Sequence, residues 1–326
     1  MPDRRSLVER WVRGTLGVQD IELEPASSDA SFRRYWRVRH GSGTVIAMDA
    51  PPGLEDCGRY VRIAGQLRAI GLNTPEILAQ DLELGLLLIG DLGERLYLEE
   101  LNEESVERLY GDALATLAVI QACGPVADLP IYDGPFLRRE IGIFREWLLG
   151  HHLGLDLTPE EDALIEGAFE CLVANALEQP QVCVHRDFHS RNLMVVPGHN
   201  PGVLDFQDAV VGPVTYDLVS LLRDCYIAWP PGRVEEWAMG YFGLAVQSGV
   251  LEQGHERRFM RWFDLMGLQR HLKASGIFAR LYRRDGKPGY LADIPRTLGY
   301  VLEVAARYPE LDGLGGFVRQ RVVPAL

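Results

Sequence analysis

Residues 185–192 read His-Arg-Asp-Phe-His-Ser-Arg-Asn, and residues 204–207 read Leu-Asp-Phe-Gln. Short apolar runs typical of β-strands adjoin both stretches, and a Pro-Gly pair at residues 197–198 marks a turn between them. Two antiparallel strands joined by a turn return the chain to where it started, so Asn192 and Asp205 should lie close together. The sequence therefore predicts a loop followed by a hairpin, with most of the polar chemistry in this strip.

This ordered set of residues suits phosphoryl transfer. That reaction needs a carboxylate to orient the attacking hydroxyl and accept its proton, and Asp187 is the candidate base. Magnesium prefers oxygen ligands and usually takes only one or two from protein, which Asn192 and Asp205 can supply. Either Asp187 or Asn192 alone could simply cap a turn, but the complete ordered set favours catalysis.

Three polar residues around this set receive other interpretations. His185 is expected to be a hydrogen-bonded support of the loop, because Asp187 already supplies the base. Asp217 lies at a probable helix start, where a carboxylate can accept backbone N–H groups or hold the catalytic loop, so we interpret it as structural support. His189 is left open between a supporting role and contact with substrate.

The length of 326 residues exceeds what one ordinary hydrophobic core needs, so we expect a small and a large lobe. Strand-like runs dominate the first part of the chain, and helical spacing dominates from about residue 103 onward. An apolar strand at residues 84–89 leads directly into the sequence Gly-Asp-Leu-Gly, where we place the boundary. The sequence predicts an α+β fold with a small β-rich N-lobe, residues 1–90, and a larger, mainly helical C-lobe, residues 91–326.

The individual elements follow from periodicity and turn signals. Predicted helices cover residues 7–16, 56–70, 103–122, 135–149 and 158–177, and predicted strands cover residues 21–23, 35–38, 44–48, 84–89, 182–184, 193–196 and 203–206. The last of these helices opens with Thr158-Pro159-Glu160-Glu161, a capping box with proline at the first helical position.

Composition and charge exclude several classes of function. The net charge of −13 argues against binding nucleic acid, because contacts to phosphates require a basic surface. No stretch reaches eighteen apolar residues and the N-terminus does not resemble a signal peptide, so we expect a cytoplasmic protein without membrane contact. The five cysteines are scattered and never spaced as CxxC, which indicates neither disulfides nor zinc. No obligate protein partner is predicted.

The motifs HxDxxxxN at residues 185–192, LDF at residues 204–206 and GPxxYDL at residues 212–218 resemble those of the aminoglycoside phosphotransferase and choline kinase family, relatives of the protein kinases. The resemblance covers nearly the whole chain and implies a bilobal protein-kinase-like fold that binds ATP and Mg²⁺. It implies the roles already given to Asp187, Asn192 and Asp205, with the nucleotide bound by the N-lobe. By the same resemblance, the backbone of Gly90, Asp91 and Leu92 would meet adenine.

Longer strings at residues 28–35, 48–52 and 204–213 resemble the members of this family that phosphorylate bacterial cell-wall sugars. That resemblance implies a small-molecule amino sugar as acceptor, N-acetylmuramate and/or N-acetylglucosamine, phosphorylated at its anomeric hydroxyl and recycled toward a UDP-sugar. An aminoglycoside- or choline-type phosphotransferase is the alternative within the same chemistry. An alternative of another class is a catalytically weak nucleotide-binding module that regulates a partner.

Two departures from the kinase pattern concern the phosphate grip. A serine-containing loop replaces a glycine-rich loop, although serine hydroxyls and backbone N–H groups could still bind phosphate. The only lysines are Lys273 and Lys287, and Met48 occupies the strand that carries the phosphate-binding lysine in protein kinases. Arg33 or Arg34 is the hypothetical replacement, because a guanidinium grips two oxygens at once. The candidate nucleotide-binding residues are Ser28, Ser31, Phe32, Arg33, Arg34, Met48, Gly90, Asp91 and Leu92.

The acceptor should lie beside Asp187 against the C-terminal helices. The candidate substrate residues are His189, Arg191, Arg223, Tyr226, Trp229 and Arg270, and Gln269 and Lys273 share about one helix face with Arg270. For any one of them, a solvated face or ordinary packing is an alternative interpretation. N-acetylmuramate carries a lactyl carboxylate that N-acetylglucosamine lacks, so a cation aimed there would favour the former. The sequence does not say which arginine that is.

Overall fold

A computed structural model of the chain describes residues 4–27, 32–41 and 43–326. The predicted phosphate-loop residues Ser28 and Ser31 therefore lie outside the described residues. The chain forms two compact units. The first comprises Met1–Asp112 and Arg191–Gln207, and the second comprises Ala113–Ser190 and Asp208–Leu326.

The elements are labelled in chain order. The strands are β1 Glu22–Ser27, β2 Arg34–His40, β3 Gly43–Asp49, β4 Ile77–Asp81, β5 Leu86–Gly90, β6 Gln181–Val184, β7 Leu193–Met194, β8 Gly202–Val203 and β9 Val210–Pro213. The α-helices are α1 Arg4–Leu16, α2 Cys57–Ala69, α3 Tyr97–Glu100, α4 Val106–Cys123, α5 Gly134–Ile143, α6 Pro159–Leu177, α7 Tyr216–Leu222, α8 Pro231–Gln247, α9 Glu256–Asp285, α10 Ile294–Ala305 and α11 Asp312–Phe317. A π-helical segment, Phe144–His152, continues α5.

The first unit is built on a five-stranded antiparallel sheet in the order β1-β2-β3-β5-β4. Apolar side chains on one face of the sheet pack against α1, where they bury Val8 and Val12. Successive side chains of a strand point to opposite faces, and β3 is buried at five consecutive positions, Val45 to Asp49. Both faces of strand β3 are therefore covered, which explains why its sequence is apolar from Val45 to Met48.

The β7–β8 hairpin belongs to the first unit because its hydrogen bonds are made there. Val195 N donates to the carbonyl of Arg95 at 2.8 Å, and Asn73 Nδ2 donates to the carbonyl of His199 at 2.7 Å. Asn200 Nδ2 donates to Asp112 Oδ2 at 2.7 Å. This division into units differs from the predicted division into lobes after residue 90, which stays a prediction about function.

The second unit is mainly helical, with α9 at its centre. This 30-residue helix packs against α5, the π-helical segment, α6, α7 and α10. At Gly276 the contact is backbone to backbone, since a Cβ there would lie 2.5 Å from the carbonyl oxygen of Ile143. Strands β6 and β9 pair antiparallel, and they carry the chain into and out of the segment that contains the motif residues.

The predicted elements are found with changes at their ends. The capping box at Thr158 is present, because Thr158 Oγ1 and Glu161 each accept from the other's backbone N–H. The predicted strands at residues 193–196 and 203–206 are wrong in length: they shorten to the two-residue β7 and β8. The second of them cannot extend through Asp205, whose φ of +59° is left-handed and breaks a strand. Strands β4 and β9 were missed.

In the part of the chain that the structure describes, no helix combines the length and apolarity that a membrane span requires. The cytoplasmic location stays a prediction.

Candidate active site

The hairpin brings Asn192 and Asp205 together in the first unit. Leu204 N donates to the carbonyl oxygen of Asn192 at 2.9 Å, which closes the base of the hairpin. The side chains follow, with Asn192 Nδ2 3.5 Å from Asp205 Oδ2. The left-handed backbone at Asp205 turns the chain at this position, and Gln207 Nε2 donates to Asp205 Oδ1 at 2.6 Å. The predicted metal ligands therefore lie side by side.

This pair fits a magnesium ion bound mainly through phosphate and water. The donor set is one carboxylate and one side-chain amide, whose orientation can present either O or N. Among residues 4–27, 32–41 and 43–326 no group of three or more His, Cys, Asp or Glu side chains is arranged to hold a metal alone. Asn192 and Asp205 could supply the one or two protein oxygens that magnesium usually takes.

Arg33 lies beside this pair. Its NH1 group is 3.6 Å from Asp205 Oδ1, and its NH2 group is 2.7 Å from Glu55 Oε2. Burial works to lower the pKa of Arg33, but its interactions with Tyr35, Glu55 and Asp205 outweigh it and hold the pKa above its usual value. Glu55 also accepts from Phe32 N at 3.3 Å, so one carboxylate holds both backbone and guanidinium at residues 32–33.

The other candidates of the first unit are less directly engaged. Arg34 is exposed on β2, and Arg191 is half-buried next to Asn192 in the chain. Met48 is buried in β3, with its Cα paired to those of Tyr35 and Leu87. Strand β3 contains no lysine.

The Gly90–Leu92 segment is fixed through the side chain of Asp91. Arg37 donates to both of its oxygens, Nε to Oδ2 at 2.8 Å and NH2 to Oδ1 at 3.1 Å, and Gly93 N donates at 2.9 Å. Burial opposes ionisation, yet these donors hold the pKa of Asp91 below its usual value. Gly90 N donates to the carbonyl of Glu76 at 2.8 Å. Both oxygens of the Asp91 carboxylate therefore already accept hydrogen bonds from other groups of the protein.

In the second unit, Asp217 holds the start of the predicted catalytic loop, residues 185–192. It is fully buried at the start of α7, and its two oxygens accept from the backbone N–H groups of His185, at 2.6 Å, and Arg186, at 2.9 Å. Arg186 has a left-handed φ of +78°, which these bonds help to maintain. Burial raises the pKa of Asp217 to about 7, against the backbone donors, which lower it.

A buried charge network lies under Arg186. Its guanidinium forms an ion pair with Glu140 of α5, and Glu140 Oε2 is 2.7 Å from Lys273 Nζ of α9. Tyr132 donates to Glu140, and Lys273 Nζ lies 3.1 Å from the hydroxyl of Tyr216. One carboxylate thus serves two cations, which leaves a net positive charge beside the loop.

Asp187 is surrounded by positive groups. Burial works to raise its pKa, but the charges of His189, Lys273, Arg186 and Arg270 overcome it and hold the pKa below its usual value. Asp187 is therefore ionised at neutral pH and able to accept a proton. Its backbone N–H faces His185 Nδ1 at 3.3 Å, so His185 lies within the loop as a support.

Asp224 fixes the other end of the loop. Its Oδ2 accepts from the backbone N–H of Ser190 at 2.9 Å and from the Ser190 hydroxyl at 2.5 Å. Its Oδ1 accepts from Tyr226 N at 2.9 Å. The ring of Tyr226 meets that of His189 edge to face, with centroids 5.4 Å apart. His189 and Tyr226, both substrate candidates, thus form one aromatic pair next to the loop.

The remaining substrate candidates differ in their surroundings. Arg223 is buried and ion-paired to Asp264, NH2 to Oδ1 at 2.6 Å, so its charge is already compensated. Trp229 packs edge to face on Trp237, with Arg233 lying over both rings. Arg270 is buried on α9 among the groups whose charges act on Asp187.

Sequence reasoning missed Glu55, Glu140 and Asp224, because each is one acidic residue among 46 and belongs to no motif. Lys273 had a signal in the rarity of lysine, which is present at only two positions of the chain.

Comparisons with known proteins bear on this arrangement. A sequence model of the phosphotransferase enzyme family matches residues 22–258. The N-acetylmuramate/N-acetylglucosamine kinase of Pseudomonas aeruginosa is 48% identical over 298 residues, covering 91% of this chain and 88% of that one. The kinase of the same name from Neisseria meningitidis serogroup B is 40% identical over 316 residues, covering 95% and 94%.

Solved structures share the fold at low identity. A choline kinase from Cryptosporidium parvum has a TM-score of 0.66 at 13% identity, with 97% of this chain and 100% of that chain covered. The ADP-bound aminoglycoside phosphotransferase APH(2'')-Ib has a TM-score of 0.60 at 15% identity, with 92% and 98% covered. The resemblance and the protein-kinase-like α+β fold expected from the sequence are both confirmed.

The variant Asp217→Asn tests how the loop is held. The amide keeps one acceptor and turns an NH₂ group toward a backbone donor, which leaves a buried N–H unsatisfied at a cost of about 1–3 kcal/mol. The displaced loop should lower kcat by about 10- to 100-fold. Steady-state kinetics and urea denaturation measure both effects.

The same variant has a pH signature. The folded-state pKa of Asp217, about 7, lies above its ordinary value of 3.8, so its contribution to stability is full below pH 3.8 and is lost as the pH rises to 7. The free energy of unfolding of the native protein should fall relative to that of Asp217→Asn over this range, by up to about 1.4 kcal/mol per pH unit. Parallel pH profiles with an unchanged kcat would contradict this account.

Proposed function

Because this chain belongs to the phosphotransferase enzyme family, we propose that it transfers the γ-phosphate of ATP to the anomeric hydroxyl of N-acetylmuramate or N-acetylglucosamine. The observation that carries the proposal is the fixed presentation of Asp187. The buried carboxylate of Asp217 holds the backbone N–H groups of the two residues that precede Asp187, and Asp224 holds the backbone N–H of Ser190, three residues after it. A loop held so tightly at both ends suits a residue that must meet a reacting atom within a fraction of an ångström.

Asp187 is the proposed base. It is ionised at neutral pH, and it accepts the proton of the sugar hydroxyl as that oxygen bonds to phosphorus and ADP leaves. A hemiacetal hydroxyl is more acidic than an ordinary alcohol, so a base whose pKa is held low still suffices. The transition state of phosphoryl transfer is loose, and correct orientation of the hydroxyl accounts for much of the expected effect.

Asn192 and Asp205 are the proposed magnesium ligands. They are adjacent oxygen-bearing side chains at the base of one hairpin, and only four residues of sequence separate Asp187 from Asn192. Magnesium, when bound, would neutralise charge on the β- and γ-phosphates. The chain's own part is to keep the carboxylate of Asp205 in place through the donor Gln207 and the charge of Arg33.

Arg33 is the proposed substitute for the missing lysine. Its guanidinium lies beside Asp205, is kept charged, and is held by Glu55 much as a phosphate-binding cation must be held. A guanidinium can donate to two phosphate oxygens at once. The backbone of Gly90, Asp91 and Leu92 is the proposed adenine contact, supported by the rigid anchoring of Asp91.

The alternative acceptors are cationic, as in choline or aminoglycosides. The charges around Asp187 argue against them, since Lys273, Arg186 and Arg270 all act on its carboxylate. A cationic acceptor that approaches Asp187 would also have to approach these three cations. A catalytically weak regulatory module is also disfavoured, because Asp187, Asn192 and Asp205 are all present.

An acceptor panel tests the proposal directly. Purified protein with ATP and Mg²⁺ should release ADP with N-acetylmuramate or N-acetylglucosamine, and not with choline or kanamycin, in a coupled spectrophotometric assay. Omission of Mg²⁺ should remove turnover, because uncompensated phosphate charge raises the barrier. Turnover on kanamycin or choline but on neither sugar would reject the sugar assignment.

Asp187→Asn is the matched variant for that assay. It preserves shape but cannot accept a proton, so kcat should fall by about 10²- to 10⁴-fold. The dissociation constant of ATP, measured by calorimetry, should stay within about twofold, because the change touches no proposed nucleotide contact. Near-native turnover of Asp187→Asn would show that another group is the base.

Arg33→Ala tests the phosphate grip. Loss of a charge-assisted contact of about 1.5–3 kcal/mol should lower kcat/KM for ATP by about 10- to 150-fold. Arg39→Ala is the control, since Arg39 lies near the opposite end of β2 from Arg33 and pairs with Glu24 at 3.2 Å, and its kinetics should match those of the native protein. A large loss in Arg34→Ala together with native behaviour in Arg33→Ala would assign the role to Arg34 instead.

A further inference from the structure

We propose that Arg270 is a specificity-determining residue that binds the carboxylate of an anionic acceptor sugar, the group by which N-acetylmuramate differs from N-acetylglucosamine. This inference rests on the proposed function and names one residue for a role that the sequence leaves unassigned. It concerns only groups of the second compact unit.

Polar side chains of the central helix α9 contact other elements of the second unit. Gln269 Nε2 lies 3.4 Å from the hydroxyl of Tyr132, and His271 Nε2 lies 2.8 Å from the carbonyl oxygen of Arg223. One helical turn on, Lys273 reaches Glu140. Arg270 lies between these residues on the same helix, and its side chain is 94% buried, with 6% exposed.

The other cations of this region each form an ion pair with a protein carboxylate. Arg186 and Lys273 share Glu140, and Arg223 pairs with Asp264. Each of these cations therefore already has a carboxylate partner within the protein.

Arg270 lacks such a partner. Within the part of the chain that the structure describes, its guanidinium forms no ion pair with a carboxylate, and the contact it makes is a weak one, NH1 to Cys225 Sγ at 3.7 Å. Burying a guanidinium without a hydrogen-bonded counter-ion is costly, so proteins retain such an arrangement where a ligand completes it. Five N–H donors in a planar fork match a carboxylate in both geometry and charge.

The position of Arg270 relative to the base suits this ligand. Burial works to lower the pKa of Arg270, but interactions with Cys225, Tyr216, Asp224 and Asp187 outweigh it and hold the pKa above its usual value. The reacting hydroxyl of the acceptor must lie within hydrogen-bond reach of Asp187. Other substituents of the same small ring then fall within reach of the groups that surround Asp187. Of the two arginines among these groups, Arg186 pairs with Glu140, whereas Arg270 has no direct carboxylate partner among the residues that the structure describes.

The test compares two acceptors in one variant. In Arg270→Gln, kcat/KM for N-acetylmuramate should fall at least tenfold, while kcat/KM for N-acetylglucosamine should change less than threefold. Arg270→Lys keeps the charge without the planar fork, and should retain part of the preference for the acid. The methyl ester of the N-acetylmuramate lactyl group, given to the native protein, should be used about as well as N-acetylglucosamine.

Arg223→Gln is the matched control, because it removes a buried arginine of the same region whose partner belongs to the protein. Any decrease in kcat/KM that this variant shows should be equal for the two sugars. If Arg270→Gln and Arg270→Lys keep the native ratio of the two kcat/KM values, the role of Arg270 is overturned. If the native protein has the same kcat/KM for the methyl ester as for the acid, no cation of the protein recognises the carboxylate. The proposal is then overturned even where Arg270→Gln fails to fold. If the native protein phosphorylates neither sugar, the proposed function fails, and this inference fails with it.

Discussion

The hydrogen bonds from the backbone of His185 and Arg186 to the buried carboxylate of Asp217 are the constraint on which the site depends. They fix the chain where Arg186 adopts a left-handed conformation, and the next residue is Asp187. Asp224 likewise accepts hydrogen bonds from the backbone N–H and the hydroxyl of Ser190. The irregular backbone of this loop is thereby stabilised, because its polar groups are paired to side chains instead of to water. These hydrogen bonds, and not a helix or strand, fix the position of Asp187.

The second feature is a charge balance. Glu140 carries one negative charge and touches two cations, Arg186 and Lys273, so the network under the loop has a net positive charge that offsets the Asp187 carboxylate. Arg270 adds a further cation, which forms no direct ion pair with a carboxylate of the described residues. The same groups keep Asp187 ionised and make the surroundings of the base attractive to an anionic acceptor. One set of charges thus supports both the proposed catalysis and the proposed substrate choice.

Much of this could be predicted from the sequence, and the remainder has a physical reason for being hidden. Asp187, Asn192 and Asp205 are recognisable because their spacing is imposed by one loop and one hairpin. The lysine missing from β3 is visible in composition alone, whereas the location of Arg33 beside Asp205 depends on how a loop folds back onto the hairpin. Glu140 and Asp224 act over long sequence separations, and nothing local distinguishes them from other acidic residues. Strand β9 has only four residues and is defined by its pairing with β6.

The central claim is that the phosphate is transferred to the anomeric oxygen of an N-acetylated amino sugar. The most direct test is ³¹P NMR of the product formed from N-acetylglucosamine, ATP and Mg²⁺, recorded before and after mild acid treatment. The account predicts a sugar phosphate whose phosphorus couples to the anomeric proton and which releases inorganic phosphate in mild acid, as glycosyl phosphates do. An acid-stable phosphate ester at another hydroxyl, or inorganic phosphate as the only new signal beside ADP, would contradict it.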